Sequence, residues 1–505
     1  MDASSILLCL LCISVGSFTV YKKFLTSEKS TSIRNARRPP GPPGIPLLGN
    51  IFDVSGNQLH RTLAKLAAVH GPVMSLKLGM TKAIVVSTAA GARDVLQTHD
   101  SILAGRSVND AARALRNHEI SLVWLPSGAP LFRLLRVVCN THLFSARGLE
   151  ASRAVREQKV RELVESLRTH HAGRAVDIGG IMLSVMLNIM SGVLFSEDVA
   201  DLSSDHEPEL ETLIRNTVEE FTKPNLSDIF PALARLDLNG RRRNNAVHMQ
   251  KLYDFFGRVI NRRRQRGTAG GDKDLDVLDE LLQLHSEGRF SLDTVKSLLL
   301  DLFVAGASST AQTVQWTLAE IFRHPAVMSK ARQELESVVG SKEHPQESDI
   351  DKLPYLRAVV MEGMRLHPAG PLMMPHTAAA DGAEVGGFPV PKGTKVIVNL
   401  WAIMRDPASW EKPEEFMPER FLGTGIDFRG VDARAFVPFG EGRRLCPGIH
   451  VATLSIMMIL ASVLHAFEWS LPDGMKPSDV DVTDRFRTSL HMVTPVKAVP
   501  TPVRR

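Results

Sequence analysis

Cysteine is scarce in this chain, and the scarcity limits what the chain can be. The 505 residues include only four cysteines, too few for a disulfide framework in a chain of this length. Cys9 and Cys12 lie in an apolar N-terminal stretch, and we expect Cys139 to be a small packing residue. This usage is typical of a reducing compartment. Cys446 is therefore the cysteine left as a candidate for chemistry.

The chain also lacks any Lys/Arg-rich tract with interleaved aromatic residues, which argues against a nucleic-acid partner. Its net charge of +5 is mildly basic, and a surface that faces an acidic protein or a membrane fits this charge better. Internal repeats and a clear second-domain boundary are missing too, although this length could hold two or three domains or one large one. The stretch from Arg266 to Lys273 is interpreted as a surface loop.

The run from Phe436 to His450 surrounds Cys446 with glycines. A thiolate that binds a metal needs backbone N–H groups turned toward its sulfur, and glycines accept the backbone angles of such a loop. Arg444 is close enough to serve as a fixed cation for an anionic cofactor rim. Haem held by a cysteine thiolate fits this pattern. A buried structural cysteine in a glycine-rich turn is the alternative.

Five positions in this run, Phe439, Gly442, Arg444, Cys446 and Gly448, match the pattern Phe-x-x-Gly-x-Arg-x-Cys-x-Gly. This pattern resembles the haem-ligand loop of the cytochrome P-450 family, and the resemblance covers essentially the whole chain. It implies a mainly α fold with a long central oxygen-binding helix, a small β-rich part and an N-terminal membrane anchor. It also implies that these five residues contact haem b, with Cys446 as the sole protein ligand of the iron.

The N-terminus predicts the anchor. Residues Ile6 to Tyr21 are almost wholly apolar, and Lys22 and Lys23 follow them. With residues 3–5 the stretch is long enough for a thin bilayer such as the endoplasmic reticulum, and the positive flank should be cytosolic. A cleaved signal peptide is the rival interpretation, but the basic region before the apolar run is missing.

Three segments follow from these features. Residues 1–24 are predicted to be a single-pass transmembrane anchor, residues 25–46 a basic linker and Pro-rich hinge, and residues 47–505 the catalytic domain. Val396 to Asn399, after the turn at residues 391–393, is assigned to the small β-rich part. The prolines at residues 39–46 fix φ and stiffen the hinge, though a plain linker has the same composition.

A long helix is predicted from its end signals. Ser291 can cap its N-terminus, and the negative charge of Asp293 stabilises its first turn. Pro325 ends the helix at His324. The helix should be roughly 50 Å long at 1.5 Å per residue. Gly306 lies in its interior at a cost of about 1 kcal/mol, which predicts that something approaches the backbone closely there.

The middle of this helix resembles the oxygen-binding helix of the same family, Ala-Gly-x-Asp/Glu-Thr-Thr/Ser, and places Ala305 and Gly306 at the cofactor. Ser308 occupies the acidic position and Ser309 the threonine position. Ser309 keeps a hydroxyl donor, whereas Ser308 cannot act as a carboxylic proton relay. Ser308, Ser309 and Thr310 are thus the catalytic candidates, with water and hydroxyls carrying protons, unless the chemistry is slower or different. A small-residue packing groove is the alternative.

Glu362 and Arg365 form a Glu-x-x-Arg pair on one face of a predicted helix over residues 353–366. Such a pair alone is usually solvated and contributes little. The family joins these residues to an arginine matched here by Arg420, in a buried network beneath the haem loop. Removing one member of a buried network should be costly.

Two further residues match propionate contacts of the family. Arg136 lies in a predicted helix near residue 131, and a bidentate arginine suits carboxylates. Phe132 stands where the family usually has tryptophan, so the indole N–H is missing. His376 matches a third propionate contact, in addition to Arg444 and Arg136, although a lone histidine is otherwise more often structural.

The chain most resembles plant microsomal members, particularly the geraniol-hydroxylase-like group that oxidises terpenoids, in residues 121–126, 226–231 and 401–407. Position in the family predicts a mostly apolar substrate pocket, which suits a hydrocarbon-like substrate. Arg487 could meet a substrate oxygen or carboxylate there, or face solvent. The pocket candidates are Trp124, Leu298, Leu302, Met373, Met374, Arg487 and Thr488.

The implied function is a haem-thiolate monooxygenase of the endoplasmic reticulum membrane. It would hydroxylate a small hydrophobic substrate, a mono- or diterpene, with O₂ and electrons from NADPH through a cytochrome P-450 reductase. The cofactor carries the chemistry, while the protein sets its ligand, protons and pocket. Ser308 leaves open an isomerase or dehydratase of the same fold that needs no external electrons, and a non-catalytic haem-binding protein is a third reading.

Overall fold

A computed structural model describes residues 38–203, 209–266, 276–429, 435–472 and 474–503. The predicted anchor, the linker up to residue 37 and residues 267–273 of the predicted loop lie outside the described residues. The hinge is described from residue 38 onward. It is fixed to the first strand, because the backbone N–H of Ser75 donates to the Pro40 carbonyl at 2.7 Å and the Ser75 hydroxyl donates to the Pro39 carbonyl at 2.8 Å.

Helices make up most of the described chain, which confirms the mainly α prediction. They are α1 (Leu59–His70), α2 (Ala89–Arg93), α3 (Asp100–Leu103), α4 (Pro130–Val138), α5 (Ala146–Ala151), α6 (Arg153–His170), α7 (Ile178–Phe195), α8 (Glu209–Thr222), α9 (Leu226–Ile229), α10 (Arg241–Arg266), α11 (Val277–Ser286), α12 (Leu292–Arg323), α13 (Pro325–Val339), α14 (Pro354–Leu366), α15 (Leu400–Ile403) and α16 (Ile449–Ala466). Short 3₁₀ or π turns cover Asp94–Thr98, Ala111–Glu119, Cys139–Leu143, Pro231–Leu236, Glu347–Lys352, Pro418–Phe421, Gly442–Arg444 and Pro477–Asp479.

The long helix α12 has the predicted ends. The Ser291 hydroxyl accepts the Thr294 N–H at 3.2 Å, and the helix closes at His324, whose N–H donates to the Glu320 carbonyl at 3.0 Å. Its 32 residues span about 48 Å at 1.5 Å per residue. Most of its side chains are buried, because α12 runs through the core and packs along α7.

Two described helices, α7 and α16, are long and apolar enough to cross a membrane by length and composition alone. Their 18-residue windows are 83% and 78% buried inside the fold, respectively. A helix that is apolar all round and covered by protein is a core helix. Both helices therefore form the centre of this fold, together with α12.

The small β-rich part contains four sheets of short strands. Val396–Val398 belongs to the strand predicted there, which begins at Lys395 after a turn closed by the Thr394 N–H and the Pro391 carbonyl, 3.1 Å apart. The largest sheet has the order β1-β2-β8-β5-β3, and its β3 and β5 pair so that Arg106 stands opposite His376. The strands are β1 (Val73–Leu78), β2 (Thr81–Val86), β3 (Gly105–Arg106), β4 (Val176–Asp177), β5 (His376–Thr377), β6 (Ala383–Val385), β7 (Phe388–Val390), β8 (Lys395–Val398), β9 (Phe467–Ser470), β10 (Asp484–Phe486), β11 (Leu490–Met492) and β12 (Lys497–Pro502).

Candidate active site

The loop before α16 places one backbone donor, the Gly448 N–H, at the Cys446 sulfur. The Cys446 N–H donates to the Phe439 carbonyl at 3.0 Å. Burial raises the pKa of the Cys446 thiol, while the Gly448 N–H and Arg136 act to lower it. Gly448 is also the N-cap of α16, and the N-terminus of a helix stabilises negative charge. The sulfur thus has the surroundings of a thiolate ligand, and a bound metal ion would displace its proton.

Gly442 is needed for the shape of this loop. Its φ is +69°, in the left-handed region that favours glycine. A Cβ atom at this position would lie 2.2 Å from the Leu96 carbonyl oxygen, far inside contact distance. Gly442 therefore lets the cysteine loop approach the turn at residues 94–98.

Arg444 is committed to backbone carbonyls. Its Nε donates to the Ala104 carbonyl at 3.0 Å, its Nη1 to the Leu122 carbonyl at 3.4 Å, and its Nη2 to the Leu125 carbonyl. The guanidinium carbon lies 4.3 Å from the centre of the Phe132 ring, a cation–π contact. Phe132, at the position of the missing tryptophan, thus supports Arg444 by its ring face.

His376 lies in a basic environment. Its Nδ1 is 2.9 Å from the Leu103 carbonyl oxygen, and its Nε2 is buried and has no hydrogen-bond partner among the described residues. Burial, Arg106 and Arg444 together lower the pKa of His376 to about 3, so the ring is neutral at physiological pH. The Nε2 position is therefore free to bond a group that the chain itself does not supply.

Arg106 was not predicted, and it completes this environment. Its Nη1 donates to the Met374 carbonyl at 2.7 Å, while its Nε is buried without a partner in the described chain. Burial and the neighbouring Arg444 lower the pKa of Arg106 to about 9. A neighbouring positive charge that disfavours the charged form of Arg106 favours a bound anion beside it.

The predicted rim residue Arg136 lies on the cysteine side of this cluster. Its Nη1 donates to the Leu445 carbonyl at 2.9 Å, one residue before Cys446. The unpaired Nε–H of Arg106 and the sulfur of Cys446 fit a carboxylate and the iron of haem b. The neutral His376 ring donates from Nδ1 to the Leu103 carbonyl, which leaves Nε2 as an acceptor. A haem carboxylate at Nε2 would favour the protonated ring, whose Nε2–H would then donate to it. These residues would hold the cofactor, with Arg136 and Arg444 beside it.

The centre of α12 presents two different faces. Ala305 is exposed although it lies in the middle of a core helix, and the Ser309 hydroxyl on the same face donates to the Ala305 carbonyl at 2.6 Å. A Cβ atom on Gly306 would lie 2.7 Å from Cε of Met190 in α7. A close approach predicted at Gly306 therefore exists and is made by Met190, while contact of Gly306 with the cofactor stays a prediction. Thr310 is buried.

Ser308 faces away from Ala305, into a cavity of about 670 Å³. This cavity lies between α7, α8, α12 and the β10–β11 hairpin. Its wall mixes apolar and polar residues, and the polar ones include Ser308, Gln312, Gln315, Glu219, Arg487 and His491. Burial, Arg487 and Arg485 lower the pKa of His491 to about 4, so this imidazole is neutral at physiological pH.

Arg487 pairs with an acidic side chain that was not predicted. Its guanidinium bonds the Glu219 carboxylate of α8, and it is the one predicted pocket residue that lines the cavity of about 670 Å³. A contact of Arg487 with a substrate oxygen stays a prediction. The pair links the tip of the β10–β11 hairpin to α8.

The other pocket candidates are divided between interior and surface. Leu298, Leu302 and Trp124 are buried, and the Trp124 ring packs edge-to-face on Phe221, with centroids 5.7 Å apart. Met373 is half-buried next to Gly440. Met374 and Thr488 are exposed.

Glu362, Arg365 and Arg420 are brought together. The Glu362 carboxylate lies 2.7 Å from Arg365 Nε and 3.0 Å from Arg420 Nε. The side chains of Glu362 and Arg365 are fully buried. Arg365 also donates to the carbonyls of Met404, Pro413 and Glu415, so the network fixes α14 to the segment at residues 404–420.

Comparison with known proteins agrees with this arrangement. The model of the family described as Cytochrome P450 matches residues 39–495. Cytochrome P450 76M5 of Oryza sativa subsp. japonica is 47% identical over 464 residues, which are 92% of this chain and 91% of that protein. Oryzalexin E synthase of the same organism is 45% identical over 96% of each chain. Geraniol 8-hydroxylase of Catharanthus roseus is 39% identical over 99% of each chain.

The family match and these relatives span nearly the whole chain, including the cysteine loop and α12. The described helices and small sheets have the architecture that the family predicts. Haem b is the cofactor that the family implies, with electrons from NADPH through a reductase. The chain is a monooxygenase that belongs to the cytochrome P450 family.

Proposed function

We propose that this monooxygenase hydroxylates a small hydrophobic terpenoid. The Cys446 loop carries the proposal, because its sulfur lies among the Gly448 N–H, the α16 N-terminus and Arg136. That environment suits a thiolate, and thiolate ligation of haem favours O–O cleavage. The relatives named for oryzalexin and geraniol chemistry support the substrate class.

The cofactor, when bound, supplies the oxygen chemistry, and the chain's own groups supply position and protons. Arg106 and His376 would hold the haem carboxylates, with Arg136 and Arg444 beside them. We further propose that protons come from the cavity on the other face of α12. A polar cavity of this size admits water, and Ser308 lines it. Ser309 follows Ser308 in α12, and its Oγ then passes the proton to the face of α12 on which Ala305 lies.

The Ser309 hydroxyl is therefore expected to determine the coupling of the reaction, the amount of product formed per NADPH consumed. It now donates to the Ala305 carbonyl at 2.6 Å, and rotation about its Cα–Cβ bond frees it to donate across the helix face. A positioned proton donor contributes about 10²–10⁴-fold in enzymes. Ser309→Ala should yield less product and more peroxide per NADPH consumed, with substrate binding nearly unchanged. Ser308→Asp, which adds an acid to the cavity wall, should be tolerated and should raise coupling.

Thr313→Ala is the matched control. The Thr313 hydroxyl makes the same kind of bond one turn later, to the Ser309 carbonyl at 3.0 Å, and does not line the cavity. Coupling should stay at the parent value in Thr313→Ala. Unchanged coupling in Ser309→Ala would show that protons arrive by another route, with Thr310 the next candidate.

We propose the endoplasmic reticulum membrane as the location, with the catalytic part in the cytosol. An apolar surface near residue 38, where the description begins, supports membrane contact. Exposed apolar patches of this kind mark interaction surfaces. The Met80 N–H donates to the Ile229 carbonyl at 3.0 Å, which joins two apolar segments into one surface. Its exposed side chains are Ile45, Leu47, Phe52, Met80, Leu226, Leu236 and Leu238.

The electron donor that we propose is the membrane-bound NADPH–cytochrome P-450 reductase. The deciding experiment combines the full chain with this reductase, NADPH and a panel of mono-, sesqui- and diterpenes. The expected result is a product one oxygen atom heavier than its terpene, formed only when NADPH and reductase are both present. Conversion without NADPH would favour an isomerase or dehydratase. NADPH consumption that no terpene stimulates would favour a non-catalytic haem protein.

A further inference from the structure

The tip of the cysteine loop, residues 441–443, is attached at both ends to one neighbouring segment of the chain. The Gln97 amide donates to the Glu441 carboxylate, and Asp100 accepts bonds from Arg443. Gln97 and Asp100 are close in sequence, so a single short stretch makes both attachments. Neither residue was among the sequence-based candidates.

Asp100 bonds the backbone of the loop tip as well as a side chain. Both of its carboxylate oxygens lie 3.2 Å from the Arg443 backbone nitrogen, and one lies 3.2 Å from Arg443 Nε. The Asp100 side chain is 13% exposed, whereas that of Arg443 is 51% exposed. Burial raises the pKa of Asp100, while the Arg443 backbone and side chain act to lower it. Because a solvated ion pair contributes little, the bond to the backbone N–H is the one expected to hold the loop.

The short helix α3 begins with Asp100 and reaches the cofactor residues at its other end. The Ala104 N–H donates to the Asp100 carbonyl at 2.9 Å, which closes the single turn of the helix. The Leu103 carbonyl oxygen lies 2.9 Å from His376 Nδ1, and the Ala104 carbonyl accepts Arg444 Nε at 3.0 Å. One turn of helix therefore connects the tip of the cysteine loop to the histidine that would hold a haem carboxylate.

This connection fixes two points that a bound haem needs at a constant separation. The iron and the carboxylates belong to one stiff molecule, so the Cys446 sulfur and His376 must not move apart. His376 bonds the end of α3, and the Asp100 carboxylate at the start of α3 bonds the loop three residues before Cys446. Without that carboxylate, the loop tip would lose its backbone bond to the segment that positions His376.

We infer that Asp100 is a positioning residue for the thiolate ligand, which acts by holding the loop backbone at Arg443 so that the Cys446 sulfur stays at the iron. Asp100 acts through Arg443 and is therefore not a catalytic residue. The inference rests on Cys446 as the iron ligand, but it does not depend on the proposed substrate.

The test measures how long thiolate ligation lasts in the full haem-loaded chain. The protein is reduced with dithionite under carbon monoxide and held at one temperature below its thermal midpoint. The rate is followed at which the band of thiolate-ligated haem gives way to that of haem without a thiolate. Asp100→Ala should raise this rate about tenfold, because the loop tip loses a charge-assisted hydrogen bond. The total haem content should equal that of the parent, since Arg106 and His376 remain.

Three further variants separate the backbone bond from other effects. Asp94→Ala removes a nearby carboxylate that also accepts a backbone N–H, that of Gly386 at 2.8 Å, but this bond holds the β6–β7 hairpin. Arg443→Ala removes the exposed guanidinium and keeps the backbone N–H that Asp100 accepts. Both variants should lose the thiolate band at the parent rate. Asp100→Asn keeps an acceptor oxygen without the charge, so its rate should lie between those of the parent and Asp100→Ala.

A parent-like rate in Asp100→Ala would overturn the inference. An equally fast rate in Asp94→Ala would overturn it as well, because the effect would then be a general loss of support. The same rate in Arg443→Ala would assign the effect to the exposed ion pair and not to the backbone bond, which also contradicts the inference.

One more variant covers the case in which Asp100→Ala holds no haem. Asp100→Glu keeps the charge but displaces the carboxylate from the Arg443 N–H by one methylene group, so it should also lose the thiolate band faster than the parent. A parent-like rate in Asp100→Glu would overturn the inference. A parent protein that never shows the thiolate band would refute Cys446 as the ligand and this inference with it. The measurement needs neither reductase nor terpene, so a negative terpene panel leaves its outcome unchanged.

Discussion

Cys446→Ala is expected to abolish the absorption band that thiolate-ligated haem gives in the reduced state with carbon monoxide. Cys446 is the cysteine whose sulfur receives the Gly448 N–H at the start of α16. Without the sulfur, Arg106 and His376, the residues that would hold the haem carboxylates, remain, so some haem should still bind without thiolate ligation. Monooxygenase activity should fall to the background level, since the ligand that favours O–O cleavage is gone.

Cys139→Ala is the matched control for this change. Cys139 is fully buried in the hydrophobic core, and burial raises the pKa of its thiol to about 12, so it stays neutral at physiological pH. The carbon monoxide spectrum of Cys139→Ala should match that of the parent. A parent-like spectrum from Cys446→Ala would refute the assignment of the ligand.

Local signals in the sequence predicted the parts of the fold that local interactions determine. The ends of α12 follow from a cap at Ser291 and a stop at Pro325, and the strand at 395–398 follows from the turn before it. The cysteine loop is likewise continuous in sequence. In each case the residues that decide the structure lie within a few positions of one another.

Contacts between distant segments could not be predicted from these signals. Gly306 indicated a close approach, but its partner Met190 lies on α7 and its identity depends on how two core helices pack. Arg106 joins the cofactor cluster because β3 pairs with β5 opposite His376. Arg487 pairs with Glu219 because the hairpin tip meets α8. Pairings of this kind follow from the whole fold.

The pair of Glu362 and Arg365 shows most clearly that local sequence signals do not predict burial. The chain contains the same Glu-x-x-Arg spacing at Glu150 and Arg153, where the two charged groups are 3.0 Å apart and the side chains are 65% and 45% exposed. Glu362 and Arg365 are fully buried. The spacing alone does not distinguish these pairs, and the family match supplied the distinction.

The difference in burial predicts a large difference in stability. Arg365→Ala would leave the buried Glu362 carboxylate with Arg420 and the Met417 N–H, and the carbonyls of Met404, Pro413 and Glu415 would each lose a donor. Breaking a buried pair by removing one partner costs about 3–5 kcal/mol, a large share of the roughly 5–15 kcal/mol that stabilises a typical domain. We therefore expect Arg365→Ala to yield little folded haem protein, measured by carbon monoxide spectrum and thermal midpoint.

Two variants make this result specific. Arg153→Ala removes the arginine of the exposed pair and should change the free energy of unfolding by no more than about 0.5 kcal/mol, since solvated pairs contribute little. Arg365→Lys keeps the charge, but an ammonium cannot match the planar fork that reaches Glu362 and three carbonyls at once, so its yield should also be low. A well-folded, fully active Arg365→Ala protein would show that Arg420 alone compensates Glu362. Equal losses in Arg153→Ala and Arg365→Ala would show that burial does not set the cost.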